Sequence, residues 1–309
     1  MQNKGILEKR SAMAIAALVC CFLWGSAYPS IKLSYIALGF PDTFGQILLA
    51  GLRFCLAGVM VLIFIKLRFK TRLIPLRREI PLMLLIALLQ TFGSYVAFYI
   101  GMANTTGIKG SILGSINVFM VAVMAHFVFR SDKLSWKKVV GLVCGFGGVF
   151  IANVSLLAGE TFSFAIIGEG FIILHCLFCA VVTILVRKYA RRMDTARLNG
   201  WQLFIGGVML LAAAFAGGAQ PLVFNAAAAL LLVYMAFISA VAFSLWFLLL
   251  KHHKATMVEQ YRFAVPLFGS LLSFLVVPGE HFGFEMAAAA LLVAVGIIVV
   301  NRERSKSLS

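Results

Sequence analysis

Charged residues are scarce in this chain. Asp, Glu, Lys and Arg make up only 12% of its 309 residues, whereas hydrophobic residues make up 62%. A soluble domain is about half apolar and a quarter charged, so a chain of this composition has too little polar surface to cover a core of its size. The shortage excludes a soluble globular enzyme, a disordered protein and a nucleic-acid-binding protein. It indicates a polytopic membrane protein.

Signatures of catalysis and of disulfide frameworks are absent as well. The sequence contains no P-loop, HExxH or GxSxG motif and no cluster of metal-ligand residues, so we predict no enzyme activity, cofactor or metal site. All six cysteines fall inside apolar runs, which is typical of small buried hydrophobes: Cys20, Cys21, Cys55, Cys144, Cys176 and Cys179. The last two form a CxxC motif, but its redox use needs a soluble thioredoxin-like context that this chain lacks.

The chain has instead a series of long apolar segments. A helix needs about 20 apolar residues to cross the bilayer core, and only helices allow runs this apolar to span it. We predict ten spans: 11–33, 46–66, 80–102, 107–129, 134–155, 165–187, 198–217, 227–250, 256–276 and 284–301. The first is too long for the apolar part of a signal peptide and nine others follow it, so we expect it to be retained.

The basic residues predict how these spans are oriented. Most of the 27 Lys and Arg residues lie at the two termini or in the loops after spans 2, 4, 6 and 8, which share one side of the membrane if ten helices alternate. The opposite loops carry acidic residues: Asp42, Glu160, Glu280 and Glu285. The positive-inside rule then predicts a multi-pass protein of the inner (cytoplasmic) membrane with both termini in the cytoplasm.

The two halves of the chain resemble each other. Residues 51–62 in span 2 (GLRFCLAGVMVL) match 200–211 in span 7 (GWQLFIGGVMLL). Residues 116–153 align without a gap to 264–301, and the alignment pairs an acid with an acid and an asparagine with an asparagine. Such matches over two pairs of spans indicate an internal repeat.

Each repeat holds five helices. Because five is odd, the second copy must enter the membrane from the opposite side, as in the inverted repeats of secondary transporters. We therefore predict an all-α polytopic membrane protein with ten transmembrane helices in two inverted five-helix repeats, 1–156 and 157–309. In such architectures the binding site lies near the midplane, at the interface between the repeats.

Short motifs at fixed places in the spans resemble those of a known family. They are Phe22–Leu–Trp–Gly–Ser26 with Lys32 in span 1, Leu52–Arg53–Phe54 in span 2, the small-residue start of span 4, the Gly-rich span 5 after a loop acid, and Pro266 with Pro278–Gly279–Glu280. They are similar to EamA-type members of the drug/metabolite transporter superfamily. The resemblance covers nearly the whole chain. It implies solute export or exchange through a central cavity lined by helices 1, 3, 4, 6, 8 and 9.

One loop departs from that resemblance. Arg130–Ser131–Asp132 stands in the first repeat where a Gly–Glu pair is usual. We interpret this acid as a loop or capping device.

Six charged residues lie inside the predicted spans, where charge is costly and marks functional candidates: Lys32, Arg53, Lys109, Glu169, Glu259 and Arg262. Each also has a structural interpretation. The two lysines lie near outer helix ends and can reach the interface. For Arg53, its place in the family motif implies a structural bond to backbone carbonyls. Glu169 lies near a helix N-terminus, where a carboxylate is favourable. Glu259 and Arg262 are three residues apart, so they can pair.

The functional interpretation is that Arg262, Glu259 or Lys109 contacts substrate or gates one end of a cavity. The four cations outnumber the two anions, which favours a substrate with a carboxylate or other anionic group. Span 1 has no carboxylate. Small multidrug exporters, which resemble half of this fold, use an acidic residue there to exchange protons for cationic drugs, so its absence argues against that mechanism.

Aromatic and uncharged polar residues form helix faces suited to a small-molecule site. With the charged pair of span 9, the predicted cavity residues are Trp24, Tyr28, Gln90, Ser94, Tyr95, Tyr99, Ser111, Ser115, Asn117, His175, Thr183, Trp246, Glu259 and Arg262. Helix packing is the alternative, and it is the stronger interpretation for the pairs Gly110/Gly114 and Gly141/Gly145. Gates or hinges are predicted at three positions: Pro29, Pro266 and Lys109. The prolines remove helix hydrogen bonds and so mark either hinges or static kinks.

The sequence therefore predicts a secondary transporter that moves a small organic metabolite, an amino acid or other carboxylate-bearing solute, outward by alternating access. A drug or toxic-amine exporter is the alternative within transport. A membrane-embedded enzyme or lipid-handling protein is the alternative from another class. The predicted partners are the lipid bilayer, the small-molecule substrate and a coupling proton or counter-substrate, with no nucleic acid. A monomer and a homodimer both fit the sequence.

Overall fold

A computed structural model describes residues 9–69, 72–105, 107–153, 164–276 and 284–302, and all regular structure within them is helical. We label the helices of the first half of the chain as follows: α1 (Arg10–Ala37), α2 (Thr43–Phe69), α3 (Ile80–Ile86, a π-helical segment Ala87–Gly93, and Ser94–Ala103), α4 (Gly107–Gly114 and Ile116–Val128) and α5 (Trp136–Ala152). The second half contains α6 (a π-helical segment Ile166–Gly170 and Phe171–Tyr189), α7 (Thr195–Ala216), α8 (Ala226–His252), α9 (Ala255–Glu259, a 3-10 turn Gln260–Phe263, and Ala264–Val276) and α10 (Phe284–Asn301).

All ten predicted spans correspond to these helices, but not all are equally long. By length and composition, seven are apolar enough to cross a membrane: α1, α2, α3, α4, α6, α7 and α8. Helices α5 and α10 are shorter, and α9 is interrupted by its 3-10 turn. The last residues of the predicted span 134–155 lie outside the described part of the chain. The fold class is confirmed: this is an all-α polytopic membrane protein.

Polar side chains fix several helix starts on the two faces of the bundle. Asp194 accepts hydrogen bonds from the backbone N–H groups of Ala196 and Arg197 at the start of α7, at 3.0 and 3.1 Å. Asn225 accepts one from Ala228 at the start of α8, at 2.8 Å. These caps satisfy N–H groups that have no partner within the helix. They therefore fix the residues at which α7 and α8 begin.

The packing of the helices repeats between the two halves. Helix α2 packs against α7, and α5 packs against α10. Helix α1 packs against α8 and α9, just as its counterpart α6 packs against α3 and α4. Exchanging each helix with the one five places later therefore leaves the pattern unchanged, as a twofold relation between two repeats requires.

Glycines at the α2–α7 seam show that the repeats are inverted. A Cβ atom on Gly58 would lie 2.7 Å from the carbonyl oxygen of Gly200, and one on Gly207 would lie 3.0 Å from that of Gly51. The backbones therefore touch, which only glycine allows. Because numbers rise along α2 as they fall along α7, these equivalent helices run antiparallel, and the two copies have opposite orientations.

The α5–α10 seam has the same construction. A Cβ atom on Gly148 would lie 2.8 Å from the carbonyl oxygen of Ala289, and one on Gly296 would lie 2.8 Å from that of Gly141. At the ends of the two helices, Asn153 donates to the carbonyl of Val149 at 2.7 Å, and Asn301 donates to that of Ile297 at 3.0 Å. The two acids that the alignment matches are Asp132 and Glu280, but Glu280, with Pro278 and Gly279, lies outside the described residues.

Asp132 joins the two repeats at the loop between α4 and α5. Its carboxylate forms a 2.6 Å ion pair with Lys138 and accepts a hydrogen bond from the backbone N–H of Thr256 at 3.1 Å and one from the Thr256 hydroxyl. Thr256 lies at the start of α9, so Asp132 caps a helix of the other repeat. The interpretation of this acid as a capping device fits these contacts.

Candidate functional site

A cavity of about 220 Å³ lies at the interface between the two repeats. Its walls come from α1, α3, α4, α6, α8 and α9, with Arg53 from α2 and Val149 from α5. The lining includes these residues that the sequence predicted: Trp24, Tyr28, Gln90, Tyr95, Tyr99, Ser111, Ser115, Asn117, His175, Arg262 and Pro266. One cavity thus collects side chains that are up to 242 positions apart in the chain.

The other predicted residues lie outside the lining. Thr183, Trp246 and Glu259 form a buried cluster below it, and Ser94 donates to the carbonyl of Gln90 at 2.6 Å within α3. Pro29 lies inside α1, whose helix continues through it to Ala37. Lys109 lies beside the cavity, in an ion pair with Glu169.

Glu259 is the centre of the buried cluster. Its side chain is fully buried, and one oxygen accepts hydrogen bonds from the Thr183 hydroxyl at 2.9 Å and the Trp246 indole at 3.2 Å. The other oxygen accepts from the Asn117 amide at 3.3 Å and lies 3.2 Å from Nε of Arg262. The contact with Arg262 is an ion pair without hydrogen-bond geometry, because that Nε has no hydrogen-bond partner.

We call these five residues (Asn117, Thr183, Trp246, Glu259 and Arg262) the floor cluster. They come from four helices, α4, α6, α8 and α9, and so tie the two repeats together. Trp246 and Glu259 lie near the ends of α8 and α9 that the basic segment 251–254 connects. The floor cluster therefore closes the cavity toward the side of the basic loops.

The guanidinium of Arg262 packs against two indoles that also contact each other. Its central carbon is 4.8 Å from the ring centroid of Trp24 and 5.4 Å from that of Trp246, and the two rings are 4.9 Å apart. A cation over an aromatic face is stabilised by the ring quadrupole, and more strongly where water is excluded. Trp24 thus both lines the cavity and covers the charged floor.

Arg53 is the second cation of the cavity, and it was not among the predicted site residues. It is only 4% exposed, donates from Nε to the Ser239 hydroxyl at 2.8 Å, and lies 5.1 Å from the ring centroid of Phe54. The expectation that Arg53 bonds backbone carbonyls was wrong, since its hydrogen-bond acceptor is a side chain of α8. Among the residues that the structure describes, no carboxylate forms an ion pair with it.

Aromatic rings form the remaining walls. Tyr95 contacts Phe54 at a ring-centroid distance of 4.5 Å, and Trp24 contacts Phe243 at 5.4 Å. Phe98 and Phe243 line the cavity but were missed, because a phenylalanine in an apolar span looks the same whether it faces lipid, core or cavity. Phe98 could have been found from its spacing, since it is one turn from the predicted Tyr95 on α3.

The half-buried His175 and the buried Cys179 form a pair on the α6 wall. Nδ1 of His175 lies 2.9 Å from the carbonyl oxygen of Ser94, and Nε2 lies 3.9 Å from the sulfur of Cys179. A carbonyl can only accept, so Nδ1 carries a proton and Nε2 faces the thiol. The imidazole thereby links α6 to α3 along the cavity wall.

The opposite end of the cavity carries a separate ion pair, which we call the rim cluster: Thr105, Lys109 and Glu169. Glu169 accepts from the Thr105 hydroxyl and from the backbone N–H of Ala165, both at 2.7 Å, and its carboxylate lies 3.4 Å from Nζ of Lys109. The expected place of Glu169 near the start of helix 6 agrees with these contacts. Lys109 was expected to reach the interface, but it pairs with Glu169.

The two glycines of α4 differ in their surroundings. A Cβ atom on Gly110 would meet the sulfur of Met102, so this position is closely packed. A Cβ atom on Gly114 would meet nothing within 4 Å, because Gly114 faces the cavity. The interpretation of this pair as a packing motif was therefore wrong for Gly114.

Comparison with known proteins gives the same architecture. The chain is 28% identical over 294 residues to a WAT1-related chloroplastic protein of Arabidopsis thaliana, with 91% of this chain and 67% of that protein covered. It is 26% identical over 302 residues to the transporter YvbV of Bacillus subtilis, with 96% and 93% covered, and 24% identical over 282 residues to the inner membrane transporter YedA of Escherichia coli K12, with 90% and 85% covered. A solved crystal structure, 17% identical, superposes with a TM-score of 0.78 over 96% of this chain and 100% of that one.

The EamA-like transporter family matches the chain twice, at residues 11–154 and 166–302. Each match contains five of the ten helices. This multi-pass membrane protein therefore belongs to the EamA-like transporter family.

Proposed function

We propose that this chain is a secondary transporter of small organic metabolites that carry a carboxylate, amino acids among them, and that it moves them outward by alternating access. The inner (cytoplasmic) membrane is its location, with both termini in the cytoplasm. A proton or a counter-substrate supplies the coupling, and no cofactor is needed. The binding site is the cavity between the repeats, with hinges at Pro29 and Pro266 and the rim ion pair of Lys109 as a gate.

One observation carries this proposal: a cavity at the repeat interface that is closed on one side by the floor cluster. Alternating access requires a central site that reaches one side at a time. Aromatic walls with a few convergent polar groups are suited to bind a small organic molecule. The cations Arg53 and Arg262 in the lining favour a solute with an anionic group.

A drug or toxic-amine exporter is the alternative within transport. A cationic solute needs an acidic partner in the low-dielectric site. Within the described lining there is no Asp or Glu, and the nearby Glu259 is already bonded by residues of the floor cluster. The geometry thus supports an anionic solute over a cationic one.

Flux through the purified protein tests the proposal. Proteoliposomes loaded with an unlabelled solute take up its labelled form by counterflow if the protein exchanges it. A panel of labelled carboxylates, amino acids and amines compares the candidates, and an imposed pH gradient tests coupling to protons. Counterflow of carboxylate-bearing solutes is the expected result.

Each other outcome identifies an alternative. Proton-dependent efflux of amines without carboxylate flux would establish the drug exporter. Turnover of a membrane-embedded substrate without flux of any solute would establish the enzyme or lipid-handling protein. Empty liposomes and liposomes that contain the heat-inactivated protein are the controls.

Site-directed labelling tests the orientation. Gln220 in the α7–α8 loop and Arg192 in the α6–α7 connection are both exposed. In intact cells, a membrane-impermeant maleimide should label Gln220→Cys but not Arg192→Cys, because the proposed topology places only Gln220 outside. The native cysteines lie within helices, so their background labelling should be low. Labelling of both from the same side would contradict the proposed topology.

A further inference from the structure

The charges around the cavity do not balance. Two cations, Arg53 and Arg262, belong to the lining, and no Asp or Glu within the described residues belongs to it. An uncompensated charge in the membrane interior is costly, so it needs a partner at some stage of the transport cycle. The identity of that partner follows from the groups that surround each charge.

Arg262 already has its counter-ion. Glu259 lies 3.2 Å from its Nε, and the faces of Trp24 and Trp246 cover the guanidinium. The pair has no net charge. It is also held in place, because Glu259 accepts hydrogen bonds from three further residues of the floor cluster.

With a single proton in the contact between Nε2 of His175 and the sulfur of Cys179, this pair adds no charge to the site. A neutral imidazole beside a thiol has a net charge of zero, and so has an imidazolium beside a thiolate. Their contact at 3.9 Å and the hydrogen bond from Nδ1 to the Ser94 carbonyl fit both arrangements. The pair therefore leaves the charge of the site unchanged.

Arg53 is the remaining cation. It is buried, its Nε is taken by the neutral Ser239 hydroxyl, and its plane packs near the Phe54 ring. These contacts position the guanidinium without neutralising it. The cavity with its surroundings thus carries a net charge of about +1 that comes from Arg53.

We propose that the cavity takes an organic monoanion, whose carboxylate binds Arg53 and whose apolar or aromatic body contacts Phe54, Tyr95 and Phe243. A zwitterionic amino acid has no net charge, so it leaves the net charge of the site unchanged, and its ammonium group finds no acidic partner in the described lining. An anion without an ammonium group brings the site to neutrality. This inference rests on the proposed function and narrows its substrate class from carboxylate-bearing solutes in general to organic monocarboxylates.

Asn117 supplies a second recognition element. Its Nδ2 donates to Glu259, which leaves the buried Oδ1 atom without a hydrogen-bond partner in a residue that lines the cavity. A buried acceptor of this kind is satisfied by a donor on the ligand. A hydroxyl group meets this need without adding charge, so a hydroxylated monocarboxylate fits both Arg53 and Asn117.

Three probes that share a phenylethyl skeleton test the charge argument. L-3-phenyllactate is an anion, L-phenylalanine replaces its hydroxyl by an ammonium group, and 2-phenylethylamine is a cation. Binding to the purified protein is measured through tryptophan fluorescence, to which Trp24 in the cavity contributes. Phenyllactate should bind roughly tenfold or more tightly than phenylalanine, and the amine should bind weakest.

Variants of Arg53 locate the charge. Arg53→Gln should weaken phenyllactate binding roughly 10- to 100-fold and remove its advantage over phenylalanine, whereas Arg53→Lys should retain a preference for the anion. Arg68→Gln, on the same helix but outside the cavity, is the matched control. Ser239→Ala removes the hydrogen bond between Arg53 and α8 but leaves the charge of Arg53. If Arg53 recognises the anion through its charge, this variant should keep the anion preference. If Arg53 merely holds α8, the preference should be lost.

Several results would overturn the inference. They are equal or tighter binding of phenylalanine by the wild-type protein, no phenyllactate binding at millimolar concentration, a preference that survives in Arg53→Gln, and chloride that competes as well as phenyllactate. The wild-type comparison needs no variant and remains valid if Arg53→Gln fails to fold. Phenyllactate binding without flux of any solute would refute the proposed function but not this inference. Phenylalanine flux without phenyllactate binding would support the proposed function but refute this inference.

Discussion

Helices α4 and α9 occupy equivalent places in the two repeats, yet they present different chemistry to the cavity. Extending the alignment of 116–153 with 264–301 pairs Ser111 with Glu259 and Gly114 with Arg262. The α9 residues form an ion pair of 3.2 Å, whereas the two α4 residues line the cavity. One repeat therefore places a charged closure where the other leaves space.

Helices α1 and α6 show the same contrast. The bulky Trp24 on α1 contacts Trp246 edge to face and covers the floor, whereas α6, the equivalent helix, places the small Cys179 in the lining. The glycine seams, in contrast, are alike in both copies. The symmetric contacts thus build the framework, and the departures from symmetry decide which side of the cavity is closed.

The largest expected effect comes from removing the charged closure. Glu259→Leu leaves the half-buried Arg262 without a counter-ion and should destabilise the protein by about 3 kcal/mol. Thermal unfolding in detergent measures the loss. The double variant Glu259→Leu/Arg262→Met removes both charges and should recover most of the stability. If the single variant is as stable as the wild type, the floor cluster does not hold the closed side together.

A smaller effect is expected at the symmetric seam. A Cβ atom on Gly58 would lie 2.6 Å from the backbone nitrogen of Phe204, which cannot rotate away, so Gly58→Ala should destabilise by roughly 1–3 kcal/mol. Gly114→Ala, on a helix position that faces open space, is the matched control and should not lose stability. Equal unfolding temperatures for the two variants would mean that the seam is not closely packed.

Aromatic residues of the cavity should affect flux more than stability. Tyr28 lines the cavity with 52% of its surface exposed, so Tyr28→Ala removes a wall without emptying the core. Flux in proteoliposomes should fall roughly tenfold, the equivalent of about 1.4 kcal/mol of binding, and Trp24→Ala should lower it too. Phe64→Ala, an exposed aromatic outside the lining, is the control. Wild-type flux in both cavity variants would remove α1 from the site.

The rim should be the least sensitive to loss of charge. Glu169→Gln breaks the 3.4 Å ion pair with Lys109. Thr105 and Ala165 donate to different oxygens of Glu169, so the one oxygen of Gln accepts from the Ala165 N–H while its amide group donates to the Thr105 hydroxyl. Its effect on the free energy of unfolding should be on the order of 1 kcal/mol or less. A loss as large as that of Glu259→Leu would show that both ends of the cavity depend equally on buried charge.

Much of the cavity could be predicted from the sequence because polar and aromatic residues are rare in apolar spans and conspicuous by their spacing. Trp24 and Tyr28 are four residues apart, and Ser111 and Ser115 repeat that spacing, so each pair shares a helix face. The network around Glu259 could not be predicted, because Asn117, Thr183 and Trp246 belong to three other helices. Periodicity shows which residues share a face but not which faces meet.

Arg53 shows the same limit. Its place in a family motif suggested a structural role, and the sequence held no sign that its guanidinium turns toward a cavity and bonds Ser239, 186 positions away. Phe243 is a similar case. Whether such a residue contacts lipid, core or solute is a property of the packed bundle.

The ten apolar spans and the oppositely oriented repeats could be predicted from the order of the residues alone, because hydrophobic length and the sidedness of basic residues act on each segment separately. Which cation is neutralised and which keeps its charge follows from the packing of the helices, because an ion pair depends on distances of a few ångströms between side chains. That difference separates Arg262, held by Glu259, from Arg53, held by a hydroxyl.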